Sequence, residues 1–387
     1  MRLLSISVNY PHTDGFSYQE NLLPLYQKKC GFETFILASE YSYNNQGKIV
    51  SFGHKEYVDG NGIKVKRIKI KAGKKLSYRF KRFEGFYQNI EQIEPDIIFC
   101  HLFQFVDVKM LIKYKKKHPT CKIYMDSHAD YYNSASSWLS KNILHKIIWR
   151  HYAKKINPYV EMFYGVTPAR VNFLKDIYKI PANKVELLPL GADDEEVDKA
   201  LQKDVCVKKR AEYGLSEDDC IIVTGGKIDY NKPQTLLLMK AVNALKEENL
   251  KLLVFGSVAE EYKEDFEKQL SDKVRYIGWK TSAEIYKEFA VADIIAFPGL
   301  HSVLWEQAVG MGKPCIFRKI EGFEHIDLGG NCLFFEEDNV ENYQKTLRYA
   351  IEHIQELKMI ATEKGRKEFS YMEIAKKSIK LSKDQNE

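Results

Sequence analysis

A polar loop follows the apolar run IIAF and carries the most informative chemistry in the sequence. Over residues 297–316, FPGLHSVLWEQAVGMGKPCI, Gly299 permits a turn, and a helix would begin directly after it at His301, Ser302 and Val303. The free amides of a helix N-terminus bind anions, so this loop predicts a diphosphate site at Ser302 and Val303. Glu306, about one turn further on, offers a carboxylate that accepts hydrogen bonds from two vicinal hydroxyls, as in a ribose. An ordinary helix around a buried Trp305 is the alternative.

A second loop, VTGGKIDYNKP over residues 223–233, also follows an apolar run. Gly226 permits close approach of the backbone to a ligand, and Lys227 and Lys232 lie five positions apart. The two ammonium groups could converge on one diphosphate, although the spacing differs from that of a Walker loop. Two solvated lysines would give the same sequence.

Histidines end two apolar runs in the first half of the chain. His101 follows DIIFC, and His128 lies in the segment DSHAD after KIYM, two residues before Asp130. Histidine can act as an acid, a base or a hydrogen-bond donor near neutral pH, so both are candidates for work at a reacting group, and both could equally be structural. Ligands are too sparse around them for a metal site, and none is predicted.

Alternating strand-like and helix-like segments must position these residues. Strands are predicted at 3–8, 34–37, 65–70, 96–100, 122–125, 162–166 and 185–188, with helix-length segments such as 18–29, 78–92 and 107–117 among them. The pattern restarts at 221–224, 252–255, 275–277, 294–297, 315–317 and 333–335. Such alternation predicts an α/β protein with two doubly wound, Rossmann-like domains, and residues 191–217 are the predicted linker and entry to the second. The predicted domains are 1–190 and 191–370, followed by a helix at 371–387 that crosses back to the first.

Length and composition fit two soluble domains. The chain has 387 residues, of which 44% are hydrophobic and 29% charged, and no apolar run approaches the roughly 18–20 residues that span a bilayer. The N-terminal sequence is typical of a first strand and not of a secretory signal, so a cytoplasmic protein is predicted. The seven cysteines form no CxxC pair and are expected to be buried thiols.

Basic residues are concentrated at 64–82, KVKRIKIKAGKKLSYRFKR, which carries no acid. No helix-turn-helix, zinc or RNP motif accompanies this segment, so a nucleic-acid partner is not expected. Basic and aromatic side chains together suit an anionic membrane surface, which would place the protein peripherally on the inner face of the cell membrane. A solvated lysine-rich face is the alternative.

The order of these pieces resembles that of the retaining GT-B glycosyltransferases of the large group 1, or family four, type. The resemblance extends over nearly the whole chain and rests on the strand-end Gly226-Lys227 with Lys232, together with the segments YGVTPARVNFL at 164–174, VELLPLGAD at 185–193 and YIGW at 276–279. It implies two Rossmann-like domains facing each other across a cleft and transfer of a sugar, with retention, from a UDP or GDP type donor. The expected acceptor is a glycan or a lipid-linked glycan, and no cofactor is implied.

Specific roles follow from the same resemblance. Gly226, Lys227, Lys232, Ser302 and Val303 would bind the donor diphosphate, Glu306 the ribose, and Gly278 and Trp279 the base. His128 would lie near the transferred sugar, and Gly15, Phe16, His101 and Asp130 would form the acceptor side. Family members carry a first Glu eight positions before the second, where this chain has Pro298, so the role of that carboxylate would pass to His301 or Ser302. The departure leaves a catalytically inactive binding subunit as one alternative, and a nucleotide-sugar epimerase is another.

Overall fold

The computed structural model describes residues 1–44, 46–71, 80–230 and 233–380. These residues fall into two compact units, one of Met1–Pro189 with the segment from Ile374 on, and one of Leu190–Glu373. Each unit is built on a predominantly parallel sheet with helices between successive strands. The predicted α/β class with two Rossmann-like domains is confirmed.

The N-terminal unit contains a sheet of eight strands among its described residues, in the order β10-β9-β8-β7-β1-β2-β6-β5. All neighbours pair in parallel except β5 with β6, and β3 pairs with β4 in a separate antiparallel ribbon. The central strands are buried on both faces, which explains their continuous apolar runs. The strands are β1 Arg2–Ser7, β2 Glu33–Ser39, β3 Tyr41–Tyr43, β4 Ile49–Ser51, β5 Lys55–Val58, β6 Lys64–Ile68, β7 Ile97–Cys100, β8 Lys122–Ser127, β9 Met162–Gly165 and β10 Val185–Leu187.

Helices of this unit cover the sheet. They are α1 Gln19–Lys29, α2 Phe86–Ile93, α3 Lys109–Lys117, α4 Arg150–Ile156 and α5 Pro168–Asp176, with a π-helical stretch at Ser140–Trp149 leading into α4. Single 3-10 turns lie at Val106–Val108, Asn157–Tyr159 and Ala182–Lys184. The start of α5 shows why the sequence folds this way, since Thr167 caps the helix through the Arg170 amide and Pro168 stands in the first turn.

The C-terminal unit has six parallel strands among its described residues, in the order β13-β12-β11-β14-β15-β16. Numbered from its first strand, this is the 3-2-1-4-5-6 order of the Rossmann fold. After β11 the chain adds β12 and β13 on one side of this strand and then β14, β15 and β16 on the other side. The strand order therefore reverses between β11 and β14. The strands are β11 Cys220–Ile228, β12 Leu250–Val258, β13 Val274–Tyr276, β14 Ile294–Phe297, β15 Cys315–Arg318 and β16 Cys332–Phe335.

Helices alternate with these strands and continue to the C-terminal segment. They are α6 Asp194–Ala200, α7 Lys203–Glu212, α8 Gln234–Ala244, α9 Lys263–Glu267, α10 Ser282–Val291, α11 Leu304–Gly310, α12 Val340–Glu352, α13 Ile354–Ile360, α14 Arg366–Glu368 and α15 Tyr371–Ser378. Shorter turns lie at Glu260–Tyr262, Glu324–Ile326 and Ala361–Gly365. A capping box of Thr281 and Glu284 fixes the start of α10.

The cysteines behave as small apolar groups. All seven are free, and Cys100, Cys121, Cys315 and Cys332 are buried. Burial raises the pKa of the Cys121 thiol to about 12, which leaves it protonated and unreactive near neutral pH. The prediction of buried thiols therefore holds for these four side chains.

Candidate functional site

The carboxyl ends of β11 and β14 form the centre of the candidate site in the C-terminal unit. Ligands of open α/β sheets bind where the strand order reverses, which here is the crevice between these two strands. Gly226 and Lys227 lie on β11, and the loop from Pro298 to Val303 follows β14. Two sequence segments that were expected to bind a diphosphate therefore flank one crevice.

One detail differs from the expected loop: Gly226 and Lys227 belong to the strand itself, because β11 continues to Ile228. The glycines allow this extension by letting β12 approach closely. Gly226 is paired with Gly256, which has a φ of +123°, and a Cβ added to Gly256 would lie 1.9 Å from the Gly226 carbonyl oxygen. The glycines at this strand end thus serve packing between strands as well as any approach to a ligand.

A Gly256→Ala substitution should destabilise the C-terminal unit by about 2–4 kcal/mol, because the added methyl group meets backbone atoms that cannot move aside. Gly226→Ala is the matched control: its φ is +121°, but a Cβ there has no neighbour within 4 Å, so only about 1–2 kcal/mol of backbone strain is expected. Chemical denaturation followed by hydrogen exchange in β11 and β12 would measure both. Equal losses for the two variants would contradict the steric argument.

Lys227 places a cation at this crevice. Its side chain is 66% exposed, and Nζ lies 2.8 Å from Asp229 Oδ2. The hydrogen bond to Asp229 raises the pKa of Lys227, so the ammonium is charged at any physiological pH. Lys232, the second predicted diphosphate ligand, lies outside the described residues.

Gly278 and Trp279 come directly after β13, at the same edge of the sheet. The Gly256 amide donates a hydrogen bond of 3.0 Å to the Gly278 carbonyl, which joins this turn to the paired glycines of β11 and β12. Gly278 has a φ of +78°, and the Trp279 side chain is 68% exposed. The predicted base-binding pair therefore lies two strands away from Gly226, with an aromatic face open to solvent.

Ser302 and Val303 lie just before α11 and are partly exposed. No side chain caps this helix, so its first amides receive no side-chain acceptor from the protein. Trp305 is buried and stacks on Phe317 with ring centroids 4.7 Å apart. Trp305 is therefore buried, as the interpretation of this segment as an ordinary helix expected. Its packing holds α11 at the carboxyl end of β14.

His301, Glu306 and His325 form a buried cluster beside this loop. Glu306 Oε1 lies 2.8 Å from His301 Nε2 and 3.0 Å from His325 Nε2, and the three side chains are 6% exposed or less. Burial alone would raise the pKa of Glu306, but the two histidines, His301 foremost, hold it below the usual value of a glutamate. The carboxylate is therefore ionised at neutral pH.

The same cluster has the ligand types of a metal site. The three donor atoms lie within 4.8 Å of one another, and two imidazoles with a carboxylate can bind zinc or a similar ion. The hydrogen bonds already described account for Glu306 Oε1 and for both Nε2 atoms without an ion. Glu306 Oε2 and His325 Nδ1 are buried without a partner among the described residues, so this network leaves two polar atoms unsatisfied.

The ribose role of Glu306 stays a prediction. Its side chain is buried and Oε1 accepts from two histidines, while Oε2 has no hydrogen-bond partner among the described residues. Its neighbour Gln307 was not singled out from the sequence, yet Gln307 Nε2 is buried and has no hydrogen-bond partner among the described residues. His325 was also missed, since it lies 19 positions from Glu306 and only the fold brings the two together.

A second cluster lies where the strand order of the N-terminal unit reverses, between β1 and β7. His101 follows β7, and its Nδ1 lies 2.7 Å from Oδ2 of the buried Asp126. His128 Nε2 lies 3.7 Å from the same oxygen and 2.9 Å from Gln19 Oε1. Burial opposes a charge on Asp126, but the histidines, His101 foremost, hold the pKa of this carboxyl below its usual value. The two predicted histidines are thus joined through an aspartate that the sequence analysis did not assign.

Other residues predicted for the acceptor side have local structural roles. Asp130 Oδ1 accepts from the amides of Tyr132 and Asn133, and Oδ2 lies 3.1 Å from Arg170 Nε. Its carboxylate therefore stabilises a turn. Gly15 has a φ of +78° in the loop after β1, and the Phe16 ring stacks on Tyr43 at 6.2 Å.

The basic segment at 64–82 is less uniform than its sequence indicated. Arg67 is only 3% exposed and donates to the Tyr57 hydroxyl, and Lys66 pairs with Glu56 at 2.5 Å. Residues 72–79 lie outside the described residues. Across the ranges that the structure describes, no helix is both long and apolar enough to cross a bilayer. Lys66, Arg67 and Lys81, which donates to the Asn9 carbonyl, are therefore engaged within the protein.

Sequence comparison places part of the chain in a known family. Residues 219–353 match the family described as glycosyl transferases group 1. An uncharacterized glycosyltransferase of Methanocaldococcus jannaschii is 25% identical over 156 residues, which are 39% of this chain and 40% of that relative. The match thus spans less than half the length of the curated relative.

Solved structures match over nearly the whole chain. A glycosyltransferase from Rickettsia africae superposes with a TM-score of 0.65 at 15% identity, over 97% of this chain and 96% of the other. A UDP-GlcNAc 2-epimerase from Neisseria meningitidis, bound to UDP-GlcNAc, gives 0.65 at 12% identity, over 97% and 98%. At these identities the likeness establishes the fold alone. The chain is therefore a protein of the GT-B fold whose residues 219–353 match the group 1 glycosyl transferase family.

Proposed function

We propose that the protein transfers a glycosyl group from a nucleoside diphosphate sugar to an acceptor bound by its N-terminal unit. The observation that carries this proposal is the strand-order reversal between β11 and β14. The crevice is flanked by Gly226 and Lys227 on one side and the 298–303 loop on the other, within the segment that matches the family. A UDP or GDP type donor is proposed from the resemblance, and a structural relative in the comparisons holds UDP-GlcNAc.

In the proposed donor complex, Lys227 and the amides at Ser302 and Val303 bind the diphosphate. Trp279 offers its exposed ring to the base. Glu306 Oε2 and the Gln307 amide, both without a partner among the described residues, bind the ribose hydroxyls. Lys232 is proposed to add a second positive charge, as its sequence position indicates.

Charge develops on the diphosphate as the glycosyl bond breaks, and fixed positive groups at that point accelerate the reaction. Lys227 supplies one such group. His301, whose ring contacts Glu306 at 2.8 Å, is proposed to add a hydrogen bond to the leaving group. We place His128 at the transferred sugar and His101 at the acceptor, where an imidazole can take up the proton of the attacking hydroxyl. Retention of configuration is part of the proposal and would show in the anomeric signal of the product.

Lys227→Met should weaken binding of a nucleoside diphosphate by about 10–100-fold, since a charge-assisted contact contributes roughly 1.5–3 kcal/mol. Calorimetric titration with UDP and GDP would measure the loss. Lys240→Met is the control, because Lys240 is an exposed lysine of α8. Unchanged affinity in Lys227→Met, or an equal loss in both variants, would remove Lys227 from the donor site.

Product analysis distinguishes the proposed reaction from its alternatives. Incubation with UDP and GDP sugars should release the nucleoside diphosphate together with a glycosylated product or, without an acceptor, slow release of free sugar. Nucleotide binding with no turnover of any donor would instead indicate an inactive binding subunit. Conversion of the donor to its C2 epimer would indicate an epimerase.

The acceptor is proposed to be a glycan or a lipid-linked glycan, with the protein able to associate with an anionic membrane surface. Arg82 is an exposed cation of the basic segment and lies four positions before α2 begins at Phe86. Lys74 and Lys75 would add to this charge by sequence, although they lie outside the described residues. Each lysine or arginine near an anionic bilayer contributes on the order of 1 kcal/mol.

A further inference from the structure

Unpaired polar atoms are concentrated at one edge of the N-terminal sheet. Among the described residues, five side chains of the loop after β1, the start of α1 and the end of β7 have buried polar atoms without a hydrogen-bond partner: Asn9 Oδ1, His12 Nδ1 and Nε2, Gln19 Nε2, Asn21 Oδ1 and His101 Nε2. A buried polar atom without a partner is costly, and one such atom can be an accident of packing. Unpaired atoms on five side chains around one strand end indicate a site shaped for a polar ligand.

Lys81 adds a cation to the same edge. Its Nζ donates to the Asn9 carbonyl and lies 5.2 Å from the centroid of the Tyr10 ring. The described hydrogen-bond acceptor of this ammonium is an uncharged carbonyl, and the Lys81 backbone has a left-handed φ of 47°. Burial lowers the pKa of Lys81 to about 8. An ammonium held in this way gains stability from any anion that reaches it.

Hydrogen bonds connect Lys81 to the histidine cluster. Asn9, whose carbonyl accepts from Lys81, donates from its side chain to the Leu102 carbonyl. The Leu102 amide in turn donates to Asp126 Oδ1 at 2.9 Å, and the other oxygen of Asp126 contacts His101. The cation, the unpaired atoms and both histidines therefore belong to one side of the β1–β7 crevice.

We propose that this edge binds a phosphate group, with Lys81 neutralising the phosphate and the unpaired atoms of Asn9, Gln19 and His101 bonding hydroxyls attached to it. Lysine binds phosphate as a point charge, and a mixed set of donors and acceptors matches hydroxyl groups. The ligand would be the acceptor, in the form of a phosphorylated polyol or sugar, and this identification rests on the proposed function. The phosphate site itself does not.

Competitive acylation with acetic anhydride at pH 8, read out for each lysine by mass spectrometry, tests the proposal. About half of Lys81 is neutral and reactive at that pH, and a bound phosphate that raises its pKa by about one unit should slow its acylation about fivefold. Lys184 is the matched control, since its Nζ also donates to carbonyls, those of Asn157 and Val160, but far along the sheet from β1. Its rate should not change.

Two probes distinguish the sources of the phosphate. Millimolar inorganic phosphate should protect Lys81 if the site takes a soluble phosphate ester, and phosphatidylcholine vesicles containing phosphatidic acid should be needed if it takes a lipid headgroup. Phosphate should protect Lys81 equally in the Lys227→Met protein. That result would exclude binding at the donor site as the cause of the protection. Lack of protection by both probes, or equal protection of Lys184, would overturn the proposal. Titration of the same sample with a nucleotide would show separately whether the proposed donor site binds its ligand.

Discussion

Glu306→Gln is expected to destabilise the C-terminal unit by about 2–4 kcal/mol. The carboxylate is fully buried and accepts from both His301 and His325, so the amide leaves two imidazoles without the charge that they surround. Hydrogen exchange of peptides from α11 and from 324–326 would measure the loss locally, which avoids treating a chain of two units as a single unfolding transition. Glu341→Gln, at an exposed position in the first turn of α12, is the control.

The pH dependence of this effect has a definite sign. The folded pKa of Glu306 lies below its unfolded value, so the unfolded chain binds a proton first as the pH falls. The stabilisation is complete above the usual glutamate pKa of about 4.3 and is lost as the pH falls through the lower folded value. Wild type and Glu306→Gln should therefore differ most in stability at neutral pH and converge in acid. A constant difference down to the acid limit would contradict an ionised Glu306.

If His301 acts on the diphosphate, Glu306→Gln should lower the rate of turnover as well as the stability. His325→Gln leaves Glu306 and His301 in contact, so it should lower stability while retaining more turnover than Glu306→Gln does. If both variants retain wild-type turnover, the cluster serves only to hold the 298–303 loop in place.

Local patterns in the sequence were sufficient to predict most of the sheet. Every predicted strand overlaps an observed one, because central parallel strands are buried on both faces and give continuous apolar runs. The short strands β3, β4 and β5 were missed, since three or four residues with mixed exposure carry little periodic signal. The predicted linker at 191–217 contains α6 and α7, whose polar surfaces resemble a loop in composition.

Prediction of the candidate sites was limited by long-range contacts. The segments around Gly226 and His301 could be found because they follow strands, and strand ends of a parallel sheet share an edge. The partners of Glu306 and of the two N-terminal histidines could not be found in the same way. His325 and Asp126 become significant only through side-chain distances of 3.0 and 2.7 Å that depend on the packing of separate elements.

Asp126→Asn should reduce turnover by about 100-fold or more, the usual contribution of a positioned acid or base. Asp126 is a positioning residue: Oδ2 contacts His101 Nδ1 at 2.7 Å, and Oδ1 accepts from the Leu102 amide. The carboxylate keeps a proton on Nδ1 and leaves Nε2 as the basic nitrogen that faces a ligand. An asparagine presents an amide group that can favour the opposite tautomer, so the change should also alter the pH dependence of the rate.

Asp130→Asn is the matched control for this prediction. Asp130 is as buried as Asp126, but its carboxylate stabilises a turn and pairs with Arg170. Its loss should lower stability without moving the pH profile of the reaction. Nitrogen chemical shifts of the His101 ring give a second measurement that needs no substrate, because they report which ring nitrogen carries the proton. A shifted tautomer in Asp126→Asn and an unshifted one in Asp130→Asn are expected. If His101 keeps its tautomer and the rate profile is unchanged in Asp126→Asn, the carboxylate has a structural role only, and the acid–base assignment to His101 fails with it.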